Sequence, residues 1–155
     1  MPDYVQVSQN KDLFSLIRQA HGQDESMRIC KIMNEDAKLT VRANTLKTTR
    51  SALLKTFKEL GWLANPTKFA PNGIRFVRPP EGNLFKLVEF KKGHFEVQDE
   101  ASQLLSMRVD AKPKQTILDY CAGSGGKTLA FAPFMHNSGQ IYLHDIRKSV
   151  EIQAK

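Results

Sequence analysis

The sequence predicts an α+β unit followed by the beginning of an α/β, doubly wound domain. Three observations carry this expectation. Residues 39–97 run strand, helix and then several short strands, which suits a small α+β unit. Residues 116–155 run strand, glycine-rich turn, helix, strand and helix, the order that opens a parallel sheet. The charge is also divided: residues 1–36 are net −2, residues 37–92 are net +9 with twelve Lys/Arg against three Asp/Glu, and residues 93–155 are neutral. The expected organisation is a helical N-terminal segment over 1–36, a basic subdomain over 37–92 and the first part of the α/β domain over 93–155.

Composition narrows the classes. The 155 residues suffice for one ordinary domain or two small ones. With 41% apolar and 25% charged residues the chain is globular, which excludes a disordered tail or a fibre. No stretch approaches the roughly 18 apolar residues of a membrane helix, so no membrane partner is expected. The start, Met1 to Gln6, has neither the basic region nor the apolar run of a secretory signal. Cys30 and Cys121 lie 91 positions apart, which is neither a disulfide framework nor a zinc spacing, and His94 and His144 add no ligand pattern. The expectations are no metal, reduced thiols and a cytoplasmic location. The +9 segment attracts polyanions, nucleic acid above all; a solvated surface is the alternative.

Taken in order, residues 12–33 read as a helix broken near His21-Gly22, with Leu13, Leu16, Ile17, Met27, Ile29, Cys30 and Met33 at apolar spacing. Residues 39–46 alternate like a half-buried strand, Leu39, Val41 and Ala43 facing one way and Arg42 and Asn44 the other. Thr48 or Thr49 can cap a helix over 50–60, with Leu53, Leu54, Phe57 and Leu60 buried and Gly61 as its stop. Strands are expected at 62–64, 74–77, 87–90 and 94–97, punctuated by Asn72-Gly73, Pro79 to Gly82 and Lys92-Gly93. A helix over 99–109 would bury Ala101, Leu104, Leu105 and Val109. A strand over 116–120 precedes the glycine turn, a helix starts near Lys127 and meets Pro133, and 140–144 is the second strand. A further helix is expected from Arg147 to Lys155.

The chemistry concentrates in Asp119-Tyr-Cys-Ala-Gly-Ser-Gly-Gly-Lys-Thr128, between a strand and a helix. Its glycines let the backbone approach a ligand and take positive φ. Asp145 ends the next strand, where an acid accepts hydrogen bonds from ribose hydroxyls. A phosphate loop fits the Gly126-Lys127-Thr128 end but has Cys121 where its first glycine belongs. A dinucleotide fingerprint fails at Thr128, where its third glycine belongs. An S-adenosylmethionine site fits Asp119, Gly123 and Gly125; an ordinary glycine-rich turn remains open beside it.

The flanking residues are recognisable. The turn resembles the Asp-x-Cys-Ala-Ala-Pro-Gly-Gly-Lys-Thr motif of the Sun (Fmu-like) family of RNA cytosine-C5 methyltransferases. Gly93-His-Phe-Glu-Val-Gln-Asp-Glu-Ala-Ser-Gln103 resembles that family's preceding motif, and Val41-Arg-Ala-Asn-Thr-Leu-Lys47 its Arg-x-Asn-x-x-Lys segment. The resemblance covers about residues 25–155. It implies a class I S-adenosylmethionine-dependent, Rossmann-like domain behind an RNA-binding subdomain, with RNA, ribosomal RNA in particular, as partner. It implies cofactor contacts from Cys121, Ala122, Gly123, Ser124, Gly125, Gly126, Lys127 and Asp145, and RNA contacts from Arg42, Asn44, Lys47 and Arg50. Gly123 and Ser124 depart from the family's Ala-Pro, and Val150 stands where an arginine is often found.

By resemblance, two cysteines in Pro-Cys and Thr-Cys dipeptides perform the family's chemistry, and neither dipeptide occurs here. Cys121 is expected to serve backbone and packing, and Cys30 to be buried. Gln98, Asp99 and Ser102 either position a ligand or cap a helix. Trp62 and Phe69 either stack on bases or pack in the core. The expectations are a truncated, inactive chain with no catalytic residue of its own, whose strand 116–120 forms an exposed edge that invites self-association. The rival reading is a catalytically silent RNA-binding module with a vestigial cofactor turn.

Overall fold

The computed structural model describes residues 1–147, so the helix expected beyond Arg147, with Val150, lies outside the described residues. Two compact units are present, Met1–Ala37 and Lys38–Lys155.

In the first unit, α1 (Asp3–Gln6), α2 (Lys11–His21) and α3 (Gln23–Met33) follow one another. The Asn10 side chain caps α2 by accepting from the Asp12 and Leu13 N–H groups. Gly22, at φ +79°, ends it and turns the chain into α3. Val7, Phe14 and Cys30 form the core, joined by Tyr4, Ile17 and Met27. Leu13, Leu16 and Met33 were expected inside but are exposed. Phe14 and Ile17 set the inward stripe of α2, and Leu13 and Leu16 each fall one position off it.

The second unit opens with β1 (Thr40–Ala43), α4 (Arg50–Glu59), β2 (Ala64–Pro66), β3 (Gly73–Phe76), a 3-10 turn at Leu84–Lys86, α5 (Val88–Lys91) and β4 (Phe95–Val97). The strands make one antiparallel sheet in the order β2-β3-β1-β4. β4 follows Gly93, so the sheet continues past the 92/93 boundary. Thr49 caps α4 at the Ala52 N–H, and Gly61 takes φ +75° beyond its end. Leu53 and Phe57 drive α4 against Val41, Ala43, Ile74, Phe76 and Phe95.

Four expectations are corrected here. All four residues of β1 are buried, because the strand is central and both its faces are covered. Leu60 is exposed, standing at the C-cap of α4. The strand expected at 62–64 starts at Ala64, since Trp62 turns inward onto Phe57. The strand expected at 87–90 is a helical turn: Leu87 and Phe90, three apart, both reach the core, which a strand would forbid.

The α/β part comprises α6 (Glu100–Arg108), β5 (Thr116–Asp119), α7 (Gly126–Phe131), a 3-10 turn at Ala132–Met135 and β6 (Gln140–Leu143). β5 and β6 are parallel neighbours, joined through α7. Pro133 lies in the 3-10 turn that ends α7. Among the described residues β5 pairs with β6 alone, and Leu118 is exposed. α6 turns its polar side inward: Glu100, Gln103 and Ser106 are buried, whereas Ala101, Leu105 and Val109, expected inside, are exposed and Leu104 is half-buried. The cause is the surface α6 meets, α7 and the polar face of the sheet, where Glu100 bonds to Arg75 and Gln103 to the Val41 carbonyl.

Candidate functional site

The turn after β5 is closed by backbone and side-chain bonds. Ala122 N–H donates to the His144 carbonyl and His144 N–H to the Asp119 carbonyl, both at 2.9 Å, which fastens the turn to the end of β6. Gly123 and Gly125 take φ +53° and +80°, which an L side chain adopts only at a cost. Thr128 Oγ1 donates to the Asp119 carboxylate at 2.7 Å. Asp145 is buried; its Oδ2 accepts from Gly123 N–H at 2.8 Å and its Oδ1 from the backbone N–H and Nε of Arg147 at 2.9 and 3.1 Å. The Arg147 side chain first, then the N–H groups of Arg147 and Gly123, hold the Asp145 carboxyl down at about 2.

Eight predicted cofactor residues therefore meet at one place, the carboxyl ends of two adjacent parallel strands, where α/β sheets bind ligands. Ala122 and Gly125 are buried, Gly123 and Gly126 half-buried, and Cys121, Ser124 and Lys127 exposed. Cys121 is thus not a packing residue. The fit to a phosphate-free nucleoside cofactor rests on the carboxylate. Asp145 uses three of about four lone-pair positions within the protein, leaving one for a hydroxyl donor.

The four predicted RNA residues do not form one open face. Arg42 is 6% exposed and donates Nε–H to Gln98 Oε1 at 2.8 Å. Burial pushes its pKa down, with Glu96 opposing. This corrects the expectation that Arg42 faces solvent or RNA. Asn44 folds its own turn, accepting from Leu46 N–H and donating to the Gly93 carbonyl. Lys47 is exposed and its Nζ donates to the Lys92 carbonyl; Arg50, half-buried, donates to the Ala70 carbonyl at 3.3 Å. Gln98 also donates to the Gly126 carbonyl at 3.1 Å, so Arg42 and Gln98 tie the sheet to the first turn of α7. Asp99 caps α6 through the Ala101 N–H.

Known proteins match this chain in both parts. The family model described as "Methyltr_RsmF/B-like, ferredoxin-like domain" matches residues 12–81. A probable ribosomal RNA small subunit methyltransferase B of Synechocystis is 33% identical over 133 residues, 86% of this chain and 30% of that protein. A 28S rRNA (cytosine-C(5))-methyltransferase of Mus musculus is 32% identical over 108 residues, 69% of this chain and 14% of that protein. The crystal structure of a methyltransferase homolog protein from Pyrococcus horikoshii superposes with a TM-score of 0.84 at 26% identity, covering 98% of this chain and 49% of the other. Over most of its length the chain matches the N-terminal portion of the Sun (Fmu-like) family. It spans a third or less of the length of these curated relatives.

At Gly123, the first of the two positions that depart from the family's Ala-Pro, the backbone N–H is held by Asp145. Two residues at this end of the sheet had no signal in the sequence. The rings of Tyr120 and His144 stack at 4.5 Å, and His144 Nδ1 lies 3.0 Å from the Tyr120 carbonyl. They sit one step beyond β5 and β6, and only the parallel register brings them together.

Proposed function

We propose that this Sun-family chain supplies the RNA-binding subdomain and first cofactor motifs of an enzyme that methylates C5 of cytosine in RNA, ribosomal RNA in particular, from S-adenosylmethionine. The observation that carries the reading is the glycine turn of Asp119–Thr128, clasped by Asp145 from the adjoining parallel strand. When bound, S-adenosylmethionine supplies an electrophilic methyl group. The chain's own residues serve it by position: Gly123 and Gly125 keep the turn low, and the remaining lone pair of Asp145 receives a ribose hydroxyl. Among the described residues the site sets Lys127 and Arg147 against Asp119 and Asp145, a balance that suits a cofactor without phosphates.

The basic subdomain binds RNA through its exposed Lys47, Lys55 and Lys58, with Arg50 beside them. Arg42 is left to hold the sheet. Cytosine C5 becomes nucleophilic only after C6 carries an adduct. With neither Pro-Cys nor Thr-Cys present, the 155-residue chain alone makes none. Among the described residues β5 has a neighbour on one side only, and its other edge would offer a second copy a strand for pairing.

Calorimetry tests the cofactor reading. The chain alone is expected to bind S-adenosylmethionine weakly, and in the complete enzyme Asp145→Ala is expected to weaken binding at least tenfold. Equal affinities of the complete enzyme and its Asp145→Ala variant would remove Asp145 from the site, and no binding by the complete enzyme would remove the cofactor reading.

A further inference from the structure

One strip of the antiparallel sheet is covered by neither helix. α4 lies on the apolar face, and α6 lies against β1 on the polar face. At the β2–β3 edge Asn65 and Pro66 are exposed, and a groove of about 350 Å³ opens there, within the size range of ligand clefts. Lys38, Asn65, Thr67, Lys68 and Arg75 supply its polar lining, and among the described residues no acidic side chain lines it. Arg75 is engaged by Glu100, but among the described residues neither Lys38 nor Lys68 has an ion-pair partner.

Beside the groove stands Phe69, 64% exposed, with Lys68 Nζ 5.0 Å from the centre of its ring. Its backbone is not loose. The N–H groups of Phe69 and Ala70 donate to Glu100 Oε1 at 2.6 and 3.1 Å, and Glu100 Oε2 accepts from Arg75 at 2.7 Å. A buried carboxylate thus fixes a loop whose product is a bare aromatic ring next to a cationic channel. Leaving that ring in water forgoes its burial, which a ligand with a π-face restores. Cations flanking such a ring suit a backbone of phosphates.

We propose that this strip is a binding site for single-stranded RNA, in which Phe69 stacks on an unpaired base while Lys38 and Lys68 contact the flanking phosphates. The proposal rests on the RNA-binding reading of the subdomain and names its site. Single strands are specified because a base inside a duplex has no free face to offer the ring.

The test is fluorescence anisotropy of a short labelled oligocytidine RNA, titrated with the full chain at several salt concentrations. Phe69→Ala is expected to weaken binding about tenfold, the scale of one base–aromatic stack, without changing the salt slope. Phe69→Tyr restores affinity. The double variant Lys38→Gln with Lys68→Gln lowers the slope of log affinity against log salt by about 1.4, for two released phosphate contacts on a single strand. Tight binding that neither change affects would overturn the site and leave the RNA reading standing. No binding by the unaltered chain would overturn both. A Phe69→Ala chain with intact RNA affinity but reduced self-association would give the ring to a protein partner, which also overturns the proposal.

Discussion

α4 and α6 rest on opposite faces of one sheet and are held by different forces. Val41, Ala43, Ile74 and Phe76 point to α4 and meet Leu53 and Phe57 in an apolar core. The residues between them in the strands, Arg42, Gly73 and Arg75, point the other way. Arg75 meets Glu100, and Arg42 meets Gln98 just ahead of α6. Gly73 leaves no room for a side chain: a Cβ there would collide with the Thr67 side chain and lie 3.0 Å from Gln103 Oε1. The α4 side depends on area and packing, which are forgiving in direction. The α6 side depends on hydrogen bonds, which are weak in net energy and costly to leave unmade. The same sheet therefore anchors the basic subdomain by one face and holds the glycine turn by the other.

The largest effect is expected on the apolar side. Phe57 is fully buried and touches the rings of Trp62, Phe76 and Phe95, so Phe57→Ala is expected to cost about 3–5 kcal/mol in urea unfolding. A loss below that of the polar variants would reverse the ranking of the two faces.

Next comes Glu100→Gln, which keeps the shape and removes the charge. The expected loss is about 1.5–3 kcal/mol, the worth of hydrogen bonds to a charged group, moderated by the partial exposure of Arg75. It carries a pH signature. Burial pushes the Glu100 carboxyl up, but the N–H groups of Phe69 and Ala70, then Arg75, outweigh it and hold the pKa below 4.5. A depressed acid stabilises the fold fully above its unfolded pKa and loses that contribution as pH falls through the folded value. Stability below about pH 4.5 is therefore expected to fall less steeply in Glu100→Gln than in the unaltered chain. Parallel acid limbs would mean that the carboxylate does not hold the loop.

A smaller change is expected for Arg42→Met. The variant loses the bond to Gln98 but also removes a buried Nη2 with no hydrogen-bond partner among the described residues. The two terms oppose, leaving a net loss of about 1 kcal/mol or less. Hydrogen exchange at Gly125 to Thr128 is expected to quicken, because Gln98 is no longer held for the Gly126 carbonyl. Unchanged exchange would cut the link between sheet and turn.

Least of all, Leu105→Glu on the outward side of α6 is expected to shift stability by no more than about 0.5 kcal/mol, as exposed substitutions do. A core-sized loss would mean that this stripe is packed after all.

The apolar face was legible in the sequence because its rule is local. Leu53 and Phe57 stand four apart, Thr49 precedes them as a cap, Gly61 follows as a stop, and nothing distant is needed to place them. α6 misled for the opposite reason. Its apolar positions keep helical spacing, and spacing cannot say what the helix will meet. The sheet positions it meets, Gly73 and Arg75, lie 25 or more residues upstream and look like solvent-facing positions until the strands are paired. Arg42 was misplaced by the same rule. Asp145 was legible as an acid ending a strand, but its bond to Gly123 N–H depends on a register that no local pattern encodes.

The hydrogen-bonded contact between sheet and α6 also governs how the protein can change over generations. Leu53 or Phe57 can drift among apolar neighbours of similar volume, one at a time, while the core repacks around them. Arg75 and Glu100 have no such freedom, since altering either leaves its partner facing a void of charge or an orphaned N–H. Substitutions at these two positions are expected to arrive together, and Gly73 to admit almost none. Saturation libraries scored for folding would show the pattern as tolerance on one face and paired rescue on the other. The surface that orients the glycine turn is thereby the part of the subdomain slowest to diverge.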